Sequence, residues 1–322
     1  MSIQSPKQQR RERATNWLVG GALPIPDICR IVAEYSNSLE GNCVQTLAGH
    51  PGTVVAMAVL DDGKLASSSW SEGVIRVWDV TSGVLERVLN EHSRSVIALA
   101  GLPSGKLASG SWDHTVRVWD VASGVCERVL VGHTSWVYCL DVLPSGNLVS
   151  RSDDNTARVW DTVSGTLIFT LAEQNDMVTS MVVIPDGNLA LGYRSGDVRV
   201  WDIANNTSVR VLKGHTGCVR SLVKLLGNRL ASGSWDNTIR VWDMETGECS
   251  GILAGHTDWV NCLTVLPNGN LVSSSSDRTV RVWDSGECML TIAHAHMAGS
   301  LVALPCGELV VSYGDNTTCI WE

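Results

Sequence analysis

Ser109–Asp120 reads SGSWDHTVRVWD, and Ser232–Asp243 reads SGSWDNTIRVWD. The two stretches differ only at His114/Asn237 and Val116/Ile239. Looser copies surround them. Trp-Asp pairs stand at Trp78, Trp119, Trp160, Trp201, Trp242 and Trp283, each 41 residues after the last. Trp321-Glu322 follows after 38, and the shortening sits in one turn, where Asp284-Ser285-Gly286 replaces the longer Asp243–Gly247. A fixed period of this length is the signature of a repeat architecture, in which each unit buries its apolar face only against its neighbours.

One repeat shows what the unit is. Val137–Leu143 is apolar and β-prone. Leu143-Pro144-Ser145-Gly146 is a turn, with proline presetting φ and glycine taking the unusual angle. Asn147–Ser150 is a second short strand. Asp153-Asp154-Asn155 forms a polar turn, Ala157–Trp160 a third strand, and Thr166–Leu171 a fourth after a Ser-Gly turn. The unit is therefore four antiparallel strands.

Composition agrees with a repeated demand. The chain has 13 Trp against 4 Tyr and a single Phe, Phe169. The net charge of −9 argues against a nucleic-acid footprint. No apolar run reaches the roughly 18 residues that a membrane helix needs. The apolar run after Arg10 and Arg11 is cut short by Pro24 and Pro26, so no export signal is expected. Ten cysteines contain no Cys-x-x-Cys. Cys43, Cys126, Cys249 and Cys288 share one repeat position and Cys139 and Cys262 another, too far apart to bridge. They read as small buried hydrophobes of a cytoplasmic or nuclear protein, which would leave the sequons at Asn205, Asn206 and Asn316 idle.

The period, the Gly-His pairs and the Trp-Asp pairs resemble the WD40 family over residues 43–322. The resemblance implies an all-β, seven-bladed β-propeller. The seventh repeat stops after its third strand. Cys43–Leu47 precedes Gly49-His50 as fourth strands precede other Gly-His pairs, so the N-terminal strand is expected to complete the last blade and close the ring.

The resemblance assigns four sets of residues to buried hydrogen-bond chains: His92, Ser109, Asp113 and Trp119; His133, Ser150, Asp154 and Trp160; His215, Ser232, Asp236 and Trp242; His256, Ser273, Asp277 and Trp283. A buried indole N–H needs an acceptor, and hydroxyl, imidazole and carboxylate extend the chain. Ser, His and Asp also build hydrolases. Four equivalent sets, each tied to a Trp, with no Gly-x-Ser-x-Gly elbow, phosphate loop or zinc spacing, argue for structure and against an enzyme. No cofactor is expected. His294 fills a Gly-His slot, so His294-Ala295-His296 is not expected to hold a metal. Arg76, Arg117, Arg158, Arg199, Arg240 and Arg281 recur two residues before each Trp and are expected to pair with acids between blades.

Function should lie in the departures from the repeat. Repeat four departs most, with Glu173-Gln174 for Gly-His, Leu191 for the tetrad serine and Ser195 for the turn aspartate. Tyr193 and Arg194 precede that turn, Arg220 opens repeat five and Arg151 lies in repeat three. This set resembles the top-face arginines with which F-box WD40 receptors hold a phosphorylated peptide, since guanidinium donates paired hydrogen bonds to phosphate. Thr179 stands where another arginine would fit, and Asp153 would repel phosphate; salt-bridged surface arginines are the plainer reading. Tryptophan gives a second pattern. Trp112 and Trp235 precede turn aspartates, and Trp136 and Trp259 follow the next Gly-His. Two stacked pairs on one face are expected, with Trp70 a fifth indole, either as a protein-binding surface or as packing at blade edges.

Residues 1–42 form a separate leader with a basic start. Leu23–Ser36, LPIPDICRIVAEYS, spaces Ile28, Ile31, Val32 and Tyr35 as an amphipathic helix over about 26–36. The segment resembles the opening of an F-box, which docks on the adaptor subunit of a cullin-type ubiquitin ligase, although a full F-box is longer. The helix is expected to cap the propeller's side, to meet such an adaptor, or to dock on an unrelated partner. The sequence as a whole predicts a non-catalytic scaffold for proteins or peptides, with a ligase substrate receptor as the runner-up.

Overall fold

The computed structural model describes residues 43–172, 176–184, 186–205 and 207–321. The leader with Ile28, Ile31, Val32 and Tyr35, and the Glu173-Gln174 pair, lie outside them.

The described residues form seven four-stranded antiparallel sheets. Blade three is typical: Val137–Val142, Leu148–Ser152, Thr156–Trp160 and Leu167–Ala172, hydrogen-bonded in that order. The last sheet is the exception in sequence order. Cys43–Thr46 pairs with Thr318–Trp321, placing Gln45 opposite Ile320, so the two ends of the described chain share blade seven. That pairing closes the ring and removes a free sheet edge, as the sequence predicts.

The core lies between blades. Leu107, Trp119 and Val121 of blade two pack with Ala66, Ile75 and Val77 of blade one, and Leu148 and Trp160 of blade three pack with Val116, Val118 and Leu130 of blade two. The third strand alternates buried and half-buried residues in the Val-Arg-Val-Trp pattern, which is why it tolerates an arginine between two core valines. The turn before it, between second and third strands, is also explained. His114, Asn155, Asn237 and Arg278 all sit at φ between 62° and 69°, a left-handed position that Asn tolerates better than most residues.

Each first strand carries a bulge near its start, between Val54 and Ala56 in blade one and between Val137 and Cys139 in blade three. The extra residue re-aims the chain at the ring's upper end. This upper face gathers the loops that enter each first strand and the turns between second and third strands. Backbone bonds join the two loop types within a blade, such as Trp112 N–H to Ser95 O at 3.0 Å and Asp153 N–H to Trp136 O at 2.9 Å.

Candidate functional site

The four His-Ser-Asp-Trp sets come together alike. In blade two the Trp119 Nε1–H donates to Ser109 Oγ at 2.7 Å. His92 Nε2 lies 2.7 Å from the same Oγ, and His92 Nδ1 lies 2.7 Å from Asp113 Oδ2. The direction of the chain follows from valence. Ser109 accepts from the indole, so its single hydrogen points to Nε2, and Nδ1–H points to the carboxylate. The same chain runs through Trp160, Ser150, His133 and Asp154; through Trp242, Ser232, His215 and Asp236; and through Trp283, Ser273, His256 and Asp277. The order Ser–His–Asp copies a catalytic triad. The serines, however, are 0% exposed and each is already held by an indole, so no substrate reaches them.

Two further groups complete each set. Thr115 Oγ1 donates to Asp113 Oδ1 at 2.6 Å, and the Ser93 N–H donates to Oδ2 at 3.1 Å; Thr156, Thr238 and Thr279 repeat the threonine contact. Burial disfavours the Asp113 charge, but the bonds from His92 and Thr115 overcome it and hold the carboxyl far below the usual range. Burial pushes the His92 and His256 imidazoles down, against their carboxylates.

Blade one holds a variant that the sequence reading passed over. His50 Nε2 lies 2.7 Å from Ser67 Oγ, which accepts from Trp78 at 2.7 Å. Glu72 replaces the aspartate and ion-pairs with Arg76. Burial, with Arg76 beside it, lowers His50 to about 4. The turn is one residue longer than in blade two, which hid the acid, but the His50-to-Ser67 spacing equals His92-to-Ser109 and would have revealed it. Blades four and seven lack the serine. Leu191 and Val311 occupy its place, and the Trp201 and Trp321 indole N–H groups are buried without a partner among the described residues.

Among the described residues, the expected inter-blade ion pairs are not found for Arg76 and Arg117. Arg76 meets Glu72 and Arg117 meets Glu91 within their own blades, the latter at 2.9 Å. Arg117, Arg240 and Arg281 also reach the cysteine of the adjacent fourth strand, 3.7 Å from Cys126, Cys249 and Cys288. The guanidinium lies over the glycine of Gly-His: a Cβ on Gly214 would come 2.8 Å from Arg240 Nη1. Three recurrent residue types thus serve one packing unit.

The tryptophans share the upper face. Trp112 stacks on Trp136 at 4.4 Å and 15°, and Trp235 on Trp259 at 4.5 Å and 17°. Trp70 adds an edge contact to Trp112 at 4.9 Å, and Trp136 reaches Tyr138 at 6.2 Å. One aromatic row therefore spans blades one to three and a second spans blades five and six. Trp70, Trp235 and Trp259 are 45%, 36% and 46% exposed, while Trp112 and Trp136 are half-buried in the stack.

The arginine group is only partly assembled. Arg151 is 2% exposed and lies 5.2 Å from the Tyr138 ring centre, at the end of the first aromatic row. It is not a salt-bridged surface residue. Arg220 is exposed on the bulge of blade five, and its charge acts on Arg151 and Tyr138 of blade three and on Cys262 of blade six. Arg194 is exposed, with no ion pair among the described residues. Tyr193 drops out of the surface set. It is 0% exposed in the core of blade four, beneath the Arg199 guanidinium at 4.7 Å, because its strand position points into the sheet stack. Thr179 donates to the Val219 carbonyl at 2.6 Å and faces the next blade. His294 stacks on Tyr313 at 3.7 Å, and no cluster suited to a metal is found among the described residues.

The WD domain, G-beta repeat family matches residues 41–79, 83–120, 124–161, 165–202, 206–243 and 247–284. The chain belongs to the WD40 family. Each matched segment of this WD40 protein begins at or near a fourth strand and ends at the next Trp-Asp pair, so it crosses from one blade into the next. The residues of blade seven after 284, with Val311 in place of the tetrad serine, lie beyond the last match. A crystal structure of the WD40 β-propeller domain of Doa1 aligns with a TM-score of 0.78 at 27% identity, covering 86% of this chain and 95% of that one. No curated protein matches the chain.

Proposed function

We propose that this propeller is a non-catalytic platform that binds a protein or peptide across its upper face. The observation that carries the reading is the pair of aromatic rows. Large indoles left one-third to one-half exposed, in register on one face, are the side chains that dominate binding energy when a partner desolvates them. Packing at blade edges does not require them, because blades three, four, six and seven place Asp153, Arg194, Ser276 and Gly314 where blades one, two and five place tryptophan. The closed ring supplies rigidity, so specificity rests on side chains of short loops. The buried tetrad serines support the absence of catalysis. The eight free cysteines among the described residues suit a reducing, cytoplasmic or nuclear setting.

The test is the double change Trp235→Ala, Trp259→Ala. The platform reading expects loss of captured partners with little change in melting temperature. Retention of every partner by a folded variant would remove the indole face as the site.

A narrower reading makes the chain a substrate receptor of a cullin-type ubiquitin ligase. It rests on the Leu23–Ser36 pattern with Ile28, Ile31, Val32 and Tyr35 as the contact residues. A chain beginning at residue 43 separates the two. Ligase subunits captured by the full chain and lost from the shorter one favour the receptor; their absence from both leaves the platform alone.

A further inference from the structure

Arg151 stands where every other blade carries almost no side chain. The positions in the same register are Ser68, Gly110, Gly192, Gly233, Ser274 and Ser312. The smallness has a cause in the next blade. A Cβ on Gly110, Gly192 or Gly233 would lie 2.7 Å from the valine that opens the neighbouring first strand, Val137, Val219 or Val260. Blade three puts a full guanidinium there. Its second strand, Leu148–Ser152, accordingly packs less closely on Val178–Val183 of blade four than the corresponding strands of blades two and three, four and five, and five and six do on theirs, although Val149 still shares a core with Val178 and Met181. Lower in the same seam the blades are tied, by the Val183 N–H donating to Asp141 at 2.6 Å. The seam is therefore looser at its upper end, where a buried cation stands in place of a small residue.

That cation has no counter-ion among the described residues. Among the described residues, Arg151 Nε and Nη2 are sealed from solvent without a hydrogen-bond partner, and no carboxylate lies within ion-pairing distance. Burial pushes its pKa down, yet a guanidinium keeps its proton at any ordinary pH. A buried charge without a partner is costly, and the cost is relieved when an anion supplies charge and acceptors together. The groups whose charges act on Arg151 are Asp153, Tyr138, Cys139 and Arg220. Arg151, Arg220 and Asp153 sum to a single positive charge, which one carboxylate balances. A dianionic phosphate would overshoot and face Asp153.

We propose that the upper seam between blades three and four is a seat for an acidic side chain of the bound peptide, with Arg151 as its anchor and Arg220 as a second donor across the channel mouth. The ligand's chain continues on both sides, because aromatic rows flank the seat at blades one to three and at blades five and six. The proposal rests on the platform reading and deepens it, since it names the ligand's central chemistry. Tyr138 joins the two features, touching Trp136 on one side and Arg151 on the other.

The test is thermal melting of the full chain in sodium acetate, sodium phosphate and sodium chloride at equal ionic strength and neutral pH. Acetate should raise the melting temperature saturably above chloride, by about 2 °C or more, and more than phosphate does. Arg151→Gly, which restores the residue of blades two, four and five, should melt no lower than the natural chain and lose the acetate response. Arg151→Met keeps the bulk, drops the charge and carries the same comparison if the glycine variant does not fold. Three results overturn the proposal: no acetate effect beyond chloride, an acetate effect that survives loss of the guanidinium, or an equal or larger effect of phosphate. None of them touches the platform reading, which stands or falls on partner capture by the Trp235, Trp259 variant.

Discussion

Trp242 donates its indole hydrogen to Ser232 Oγ at 2.8 Å, although the two residues lie on adjacent strands ten residues apart in sequence. The serine passes its own hydrogen to His215, so one hydroxyl satisfies two buried partners. Ser232→Ala should leave the indole N–H and the imidazole nitrogen unpaired at once. An orphaned buried polar group costs about 1–3 kcal/mol, and each kcal/mol lowers Tm by about 2–4 °C in a domain of this size. A calorimetric melt should show that drop with partner capture intact. An unchanged Tm would mean that the chain does not hold the blade.

Blade four offers the internal control. Trp201 fills the Trp242 position, but Leu191 replaces the serine and the Trp201 N–H has no partner among the described residues. Trp242→Phe sacrifices a hydrogen bond as well as packing, whereas Trp201→Phe sacrifices packing alone. Trp201→Phe should therefore be the milder change by about 1 kcal/mol in chemical denaturation. Equal losses would show that the tetrad bond adds nothing beyond ring burial.

The titratable groups give a signed pH prediction. His50, His92 and His256 have folded pKa values below 6.5, His50 near 4, so the unfolded chain takes up protons first as pH falls. Their stabilisation is fully present above about pH 7 and declines between 6.5 and 4. Asp113, Asp154, Asp236 and Asp277 are also held below the usual carboxylate value of 3.8, Asp277 near 2, so a second decline begins below about pH 4. Denaturation free energy measured from pH 8 to 3 should thus be flat, then fall in two stages. Replacing His50 by Gln should flatten part of the first stage. Stability that rises on acidification from pH 7 to 5 would contradict the neutral-histidine chain.

Closure by the first strand is separable from the blades. A chain starting at residue 43 keeps Gln45 and Thr46 paired with Ile320 and Cys319; one starting at residue 48 loses them and the buried Leu47. The longer chain should melt in one sharp transition. The shorter should melt several degrees lower and expose the Thr318–Trp321 edge to association, seen as concentration-dependent light scattering. Indistinguishable melting would show that the ring does not depend on that strand.

The ring, the blade count and the closing strand were legible because a strict period fixes register and every blade repeats the same chemistry. The stacked Trp112–Trp136 and Trp235–Trp259 geometry followed from the same register, since a turn of one blade always meets the entry loop of the next. Features confined to one blade were not legible. Arg151 looks like a surface arginine until the six small residues in its register are seen against the valines that constrain them. Tyr193 looks like a companion of Arg194 until strand alternation turns it into the core. The Arg–Cys contacts escaped because sequence shows two recurrent positions without showing that they face each other across the third and fourth strands.

The upper-face claim is tested most directly by site-specific photo-crosslinking. A benzophenone amino acid placed at Trp70 or Trp235 reports the upper face, and one at Val163 or Leu226, 80% and 71% exposed on turns at the opposite end, reports the lower. Irradiated in cell extract, the upper positions should yield discrete adducts that an excess of unlabelled natural chain competes away, and the lower positions should yield none. Competable adducts only from Val163 and Leu226 would place the partner on the other face and contradict the account.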